Sequence, residues 1–534
     1  MSISNSVTQI LNPHQTADPM TSCLGKSFWV MISLVALVLI LFQPAIIYQG
    51  DAISVRYSTT QLINAGRLDV NPSIAQNFGE RGQYFFENEA KEQWYPKYGI
   101  LNTFLYVPPL LWERSIEGPL IEVQKMTAFQ RKARVFYLNL YNILISLLIA
   151  VYLYLIALNF NHSTKVTAIY VLACLFGTFV WNYLRAQTFE IFQLFFFLGL
   201  YYSLLRFKHG KLTGKLKYSR THFWLILVFC SLLVLEKLVF ILLVPIAFFW
   251  ILWAEILSQS DQNKSFHFRF ISALKQYLTA FAIFLTCLLT LVCWANWYRF
   301  GGPFTTGYAQ WEQERHFLSG NPLNGLYGYL FDSQKSIFLY FPLLLFSLFR
   351  FRSFLNKYTF EFSFVLIVFL VFYIINSCFI NWRGDWCYGP RYLLFVLPLL
   401  SLPVLNLFEP ATSLLPRLLK AALYCSIFLN VLCQMSVNMM AFNSPYNALD
   451  YFQKIDNEQV ETYLKSPFWI INLDLLKHRM DRKVFPPLQY LKPKLTDESF
   501  QMHSTSLKKL CIPNFYFLST TQEFDTHEPA ATAK

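Results

Sequence analysis

Charge is scarce in this chain, and so are the signatures of the commoner enzymes. Aspartate, glutamate, lysine and arginine supply only 14% of the 534 residues, too little to cover a soluble multi-domain protein of this length. The ten cysteines show no C-x-x-C spacing, and most lie inside apolar runs, as do Cys174, Cys230, Cys287, Cys293, Cys425 and Cys433. That pattern excludes a zinc finger and a disulfide framework and leaves small apolar packing residues. HExxH, GxSxG and the glycine-rich nucleotide fingerprints are missing as well. The glycines of Tyr298 to Tyr308 (YRFGGPFTTGY) lack the lysine and the strand-to-helix setting of a phosphate loop, so they read as turns. Neither a repeat of fixed period nor paired broken helices of the transporter kind is visible.

Apolar and aromatic residues are plentiful instead. Hydrophobic residues reach 55%, with 54 Phe, 31 Tyr and 13 Trp, which predicts an all-α polytopic membrane protein. Eleven spans are expected, over 27–48, 134–159, 166–183, 190–206, 223–235, 238–256, 275–297, 337–349, 359–378, 391–407 and 418–441. As one straight helix, Phe223 to Leu257 would run about 50 Å against a hydrocarbon core of roughly 30 Å. Two short spans meeting at Glu236-Lys237 are therefore expected. The first run is too long for a signal-peptide core and lacks a small-residue cleavage site, so it reads as a retained anchor. Residues 1–26 ahead of it are polar, the composition of a disordered segment.

The net charge of +13 is arranged for membrane orientation rather than for nucleic acid. With the N-terminus inside, the inner loops hold Lys165, the run from Arg206 to Arg220, Lys264, Arg269 and Lys275, then Arg350, Arg352, Lys357, Arg417 and Lys420. The short outer loops carry about half as many basic residues, which favours eleven spans with the N-terminus in and the C-terminus out. Both glycosylation sequons, Asn161-His162-Ser163 and Asn263-Lys264-Ser265, fall on inner loops, in keeping with a bacterial plasma membrane.

Two outer segments are large. The first, 49–133, carries Tyr95-Pro96-Lys97-Tyr98 and an apolar patch from Ile100 to Trp112, whose Pro108-Pro109 and short length predict a helix lying in the interface. The second is the tail, 442–534, with Pro486-Pro487 and short apolar runs such as Phe468 to Leu476; it is too weakly patterned to form a domain of its own. Residues 27–441 make up the expected transmembrane unit.

The distinctive polar loops all emerge on the outer face in this topology: Gly50 to Tyr57, Leu184 to Glu190, Tyr298 to Tyr308, and Asn381 to Tyr392 (NWRGDWCYGPRY). Their convergence marks the candidate site. Asp51, an acid at the end of an apolar span, is expensive there unless it does chemistry or finds a partner. It reads as a general base, or as a helix-terminal acid paired with Arg56. Arg391, in Gly389-Pro390-Arg391-Tyr392, suits bidentate contact with a phosphate beside Trp382, Trp386 and Tyr388; the plainer alternative is a snorkelling arginine in an aromatic belt. Arg383, Arg299 and Lys97 are weaker candidates of the same kind. Glu190 is either a second carboxylate facing Asp51 or a first-turn acid complementing a helix dipole. An enzyme facing outward has no cytoplasmic nucleotide sugar, and a lipid-carried donor would solve that supply problem.

Taken in order, these loops resemble a known family. Tyr48-Gln49-Gly50-Asp51 followed by Gln61-Leu62-Ile63-Asn64-Ala65-Gly66-Arg67, then Tyr95-Pro96-Lys97-Tyr98-Gly99, looks like the start of the GT-C superfamily. The likeness recurs in Asn296 to Gly301 with Thr306-Gly307-Tyr308, in Gly325 to Pro342 (GLYGYLFDSQKSIFLYFP) and in Trp386 to Pro398 (WCYGPRYLLFVLP), and covers most of 27–441. These are integral-membrane glycosyltransferases that use polyprenyl-phosphate sugars, among them the protein O-mannosyltransferases, the lipid A aminoarabinose transferases and the RgtA-like transferases. The resemblance implies a bundle of about eleven helices with a large first outer loop carrying interfacial helices. It also implies inverting transfer to a lipid, glycan or protein acceptor, with Asp51 and Glu190 catalytic and Arg391, Lys97, Arg299, Arg383 and Tyr392 binding substrate.

The mannosyltransferases carry an adjacent acid pair where Ala52 follows Asp51 here, so the second carboxylate falls to Glu190, Asp69 or Glu80. Some relatives use a divalent metal, but no His/Asp cluster in this chain requires one. A flippase or transporter of a lipid-linked saccharide is the alternative; it would scatter polar residues through the middle of several spans, whereas here they gather at one face. A glycan polymerase or ligase would share the donor type but lean more on arginines than on Asp51.

Overall fold

Each of the eleven expected spans coincides with helical structure, but the helices differ in how they cross. In the computed structural model, residues 25–45, 50–77, 83–122, 125–186, 188–259, 265–310, 318–384, 387–410, 413–440, 448, 451–452, 458–510 and 514–517 are described. Among them, seven helices are long and apolar enough to cross a membrane: Ala128–Leu158, Phe189–Leu212, Leu216–Glu236, Leu238–Ser258, Phe266–Phe300, Thr359–Ser377 and Leu414–Asn438. The first expected span forms a shorter apolar helix, Lys26–Leu41. The polar N-terminal segment lies outside the described residues apart from its last two.

The third span is bent by 67° between Thr164–Phe176 and Val180–Ala186. The bend is satisfied rather than strained. Thr178 Oγ1 donates to Cys174 O at 2.6 Å, and Phe179 N donates to Tyr340 O at 3.0 Å, which replaces the lost helical bonds. Spans 337–349 and 391–407 are broken outright, a feature the sequence reading did not anticipate. Pro342 splits the first into Ile337–Tyr340 and Leu343–Ser347, and Pro398 and Pro403 divide the second into turns of four residues or fewer. Both sit inside the bundle, where neighbours can take up the freed backbone groups; Leu393, Leu394, Val396, Leu397 and Leu399 are fully buried.

The expected hairpin at Glu236-Lys237 is present. Leu216–Glu236 ends there, Lys237 is extended at φ −150° and ψ 118°, and the chain turns back through a 3-10 turn, Leu238–Leu242. Gly99 is what lets this tip dock. A Cβ at Gly99 would lie 2.1 Å from Glu236 O, a distance no side chain tolerates.

The segment after the first span departs from the all-helical expectation at one place. Gly50–Ala65 is a helix, but Phe85–Asn88 and Gln93–Pro96 pair as an antiparallel hairpin with Phe85 opposite Pro96. That hairpin delivers Lys97 and Tyr98 to the site. The patch with Pro108-Pro109 forms two short helices, Ile100–Leu105 and Val107–Glu117, and Phe104, Leu111, Trp112 and Ile116 stay exposed on them. From the tail, Phe468–Arg479 packs its Phe468 and Trp469 rings against Tyr388 and Tyr340.

Candidate functional site

The ends of these elements close around a cavity of about 560 Å³ at one end of the bundle. Asp51 enters from the first turn of Gly50–Ala65, Glu190 from the first turn of Phe189–Leu212, and Glu236 with Lys237 from the hairpin tip. Lys97 and Tyr98 follow the β-hairpin, Arg299 closes Phe266–Phe300, and Arg391 and Tyr392 open the broken tenth span. The lining also has an apolar part, with Val239, Ile241, Leu242, Val292, Ile375 and Phe379.

At the centre stands Arg391. Its Nη1 lies 3.5 Å from Glu190 Oε1 and 3.6 Å from Asp51 Oδ2, and the three side chains are 11%, 9% and 25% exposed. Those separations hold the charges together without the 2.7–2.9 Å geometry of a charge-assisted hydrogen bond. Among the described residues, Arg391 Nε and Glu190 Oε2 have no hydrogen-bond partner. Gly384, at φ +72°, makes room for the guanidinium, since a Cβ there would meet Arg391 Nε at 2.9 Å.

Asp51 is held from its other oxygen. The Tyr98 hydroxyl donates to Asp51 Oδ1 at 2.5 Å. Burial, and then the Asp51 charge, hold the Tyr98 phenol well above its ordinary pKa, so it remains the donor. Oδ2 is left facing Arg391. Lys237 Nζ lies 4.6 Å from the centre of the Tyr392 ring, a cation–π distance. Counted over the cavity lining, Lys97, Lys237, Arg299 and Arg391 face Asp51, Glu190 and Glu236: four cations against three acids.

Six of the seven side chains singled out in the sequence therefore line one cavity: Asp51, Glu190, Arg391, Lys97, Arg299 and Tyr392. Arg299 is there largely as a brace, because its Nη1 donates to Tyr98 O at 2.7 Å. Arg383 does not join them. It pairs with Asp332 and stacks on Trp382 at 5.5 Å, with its side chain 48% exposed. Among the other acids considered, Asp69 is tied to Arg67 at 2.8 Å and does not line the cavity, while Glu80 lies outside the described residues, as does Trp386.

The acid that sequence reasoning passed over is Glu236. Its Oε1 accepts from Gln193 Nε2 at 3.0 Å, its backbone oxygen accepts from Asn102 Nδ2 at 2.9 Å, and its Oε2 has no partner among the described residues. A signal was available, since Glu236-Lys237 is the charged pair interrupting the apolar run from Phe223 to Leu257. Among the described residues, no group of three His, Cys, Asp or Glu side chains is placed to hold a metal ion.

No protein-family model matches the chain, and no curated protein matches it. Among solved structures it is similar to ArnT from Cupriavidus metallidurans bound to undecaprenyl phosphate, at 12% identity and TM-score 0.45, over 92% of this chain and 76% of that one. It is similar also to the oligosaccharyltransferase of Archaeoglobus fulgidus, at 12% identity and TM-score 0.47, over 83% of this chain and 59% of that one. The chain thus spans about three fifths of the archaeal enzyme's length. Overlaps of this size fix no reaction, which has to be argued from the cavity itself.

Proposed function

We propose that this polytopic membrane protein is a glycosyltransferase of the GT-C kind, moving a sugar from a polyprenyl phosphate to an acceptor hydroxyl on the outer face of the membrane. The observation that carries the reading is Arg391, buried between Asp51 and Glu190 at ion-pair distance with Nε unpartnered among the described residues. A guanidinium used only for structure would be expected to complete its hydrogen bonds. One that must accept a phosphate has to keep donors in reserve.

The cavity is of sugar-binding size. Its excess of cations suits an anionic leaving group, and the apolar part of its lining suits the first units of a polyprenyl chain. Asp51, oriented by Tyr98, takes the proton of the acceptor hydroxyl through Oδ2. The acceptor oxygen then bonds to the anomeric carbon as the bond from that carbon to the phosphate oxygen breaks. The electron pair leaves with the polyprenyl phosphate, whose growing charge Arg391, with Lys97 or Lys237, offsets. A single displacement inverts the anomeric carbon.

Glu190 shares Arg391 with Asp51 and keeps its guanidinium oriented. The loop charges support the outer-face site and the N-terminus-in topology, and the inner-loop position of both sequons is in keeping with a bacterial inner membrane. The test is turnover: purified protein in nanodiscs is given a polyprenyl-phosphate sugar and membrane-lipid acceptors, beside Asp51→Asn. Transfer by the variant at the wild-type rate removes Asp51 as the base, and translocation of the lipid across sealed vesicles without transfer replaces the enzyme by a flippase.

A further inference from the structure

Three residues that line this cavity each carry a buried oxygen with no hydrogen-bond partner among the described residues: Glu190 Oε2, Glu236 Oε2 and Asn102 Oδ1. Their residues are 7%, 2% and 1% exposed, so surface water does not satisfy them. Buried acceptors left unpaired are costly, and a cluster of them on residues that line a cavity points to a ligand that supplies the missing donors. A phosphate does not fill that role, because its oxygens are acceptors too. The cations take the phosphate, and the acceptors call for a different part of the same ligand.

The local construction is specific. Gln193 spends its amide donor on Glu236 Oε1, which fixes the carboxylate and leaves Oε2 over. Asn102 gives one amide N–H to Glu236 O, which anchors the hairpin tip and leaves Asn102 Oδ1 over. Two amides therefore stabilise the tip while keeping a set of acceptors uncommitted.

We propose that Glu236, with Asn102 and Glu190, forms the subsite that recognises hydrogen-bond donors on the transferred glycosyl group, and so determines which sugar is accepted; this rests on the glycosyl-transfer reading above. Hydroxyls of a neutral sugar and the ammonium of an amino sugar share the required chemistry.

Binding separates this subsite from the phosphate site without relying on turnover. Full-length protein in nanodiscs is titrated with undecaprenyl phosphate alone and with the same lipid carrying glucose, arabinose or glucosamine. Wild type is expected to hold at least one glycosylated lipid about tenfold more tightly than the bare phosphate, the gain of one satisfied buried acceptor. Glu236→Gln is expected to remove that advantage while leaving the bare lipid within about twofold, roughly the scatter of such titrations. Gln193→Leu, which frees the carboxylate without removing it, should narrow the advantage in the same direction if Glu236→Gln folds poorly.

An advantage confined to glucosamine assigns an ammonium to Glu236, and one shared with glucose or arabinose assigns hydroxyls. Equal weakening of bare and glycosylated lipid by both variants overturns the subsite, as does a wild type that does not discriminate. A protein that transfers sugar yet keeps its discrimination in Glu236→Gln loses only this proposal. One that binds no lipid phosphate at all loses the reading beneath it too.

Discussion

Two buried arginines in this molecule are used in opposite ways. Arg134 Nε donates to both oxygens of Glu113 at 2.9 and 2.8 Å, and its Nη2 donates to Glu113 Oε1 at 2.8 Å and to Ile121 O at 3.0 Å. Arg391 approaches its two carboxylates no closer than 3.5 Å and leaves Nε without a partner among the described residues. Both guanidinium groups have been taken from water, but the first makes four hydrogen bonds and the second a single long one, Nη2 to the Tyr392 hydroxyl at 3.4 Å. A completed pair joins Val107–Glu117 to Ala128–Leu158, and an incomplete one waits beside a cavity. The difference shows how a buried ion pair can be sorted into scaffold or site by counting its unmade bonds.

The comparison breaks most visibly if charge is removed from the incomplete pair and the fold survives. Asp51→Asn keeps the shape and the Tyr98 contact but cannot take a proton. Turnover with a polyprenyl-phosphate sugar should fall by about 10²–10⁴-fold with little change in melting temperature. The complementary change is Glu113→Gln, which leaves Arg134 buried without a counter-charge. It should cost roughly 3–5 kcal/mol of stability, read as a lowered unfolding midpoint in detergent, while lipid-phosphate affinity of the remaining folded protein stays near wild type. If instead Asp51→Asn melts the protein and Glu113→Gln only slows it, the assignment of the two pairs is reversed.

Arg391→Lys sharpens the contrast within the site. A lysine keeps the charge but is a point donor that cannot span two carboxylates and a phosphate together. A fall of about 10²–10³ in kcat/KM is expected, the size of losing one preorganised donor, with the fold intact. The same exchange at Arg134 would break its bidentate contact and should register in stability instead.

The sequence carried the helical architecture well because membrane spans are written in long apolar runs, and the split at Glu236-Lys237 followed from length alone. It carried the site through loop order: Asp51, Glu190 and Arg391 lie far apart in the chain but at span ends that fall on one face. Glu236 was legible as a charge in an apolar run, yet its role depends on Gly99 letting the tip descend between Asn102 and Gln193, a contact no local pattern announces. The β-hairpin was hidden for a related reason. Its strands are four residues each, too short for alternation to stand out beside neighbouring helices. Pro342, Pro398 and Pro403 were visible breakers, but burial in the bundle decides whether a proline kinks a span or splits it.

Arg383 gives the smallest expected effect and the cleanest control. In sequence it is indistinguishable from Arg391, eight positions away in the same loop. In space its partner is Asp332, its side chain is 48% exposed, and it does not reach the cavity. Solvent screens such a pair, so Arg383→Ala should shift stability by no more than about 1 kcal/mol. Turnover and lipid-phosphate affinity should stay within about twofold of wild type, the range of a surface substitution away from any special feature. A loss comparable to that of Arg391→Lys would mean that the loop from Asn381 to Tyr392 moves to bring both arginines onto the phosphate, and the line drawn between paired scaffold and open site would then have to be redrawn through Asp332.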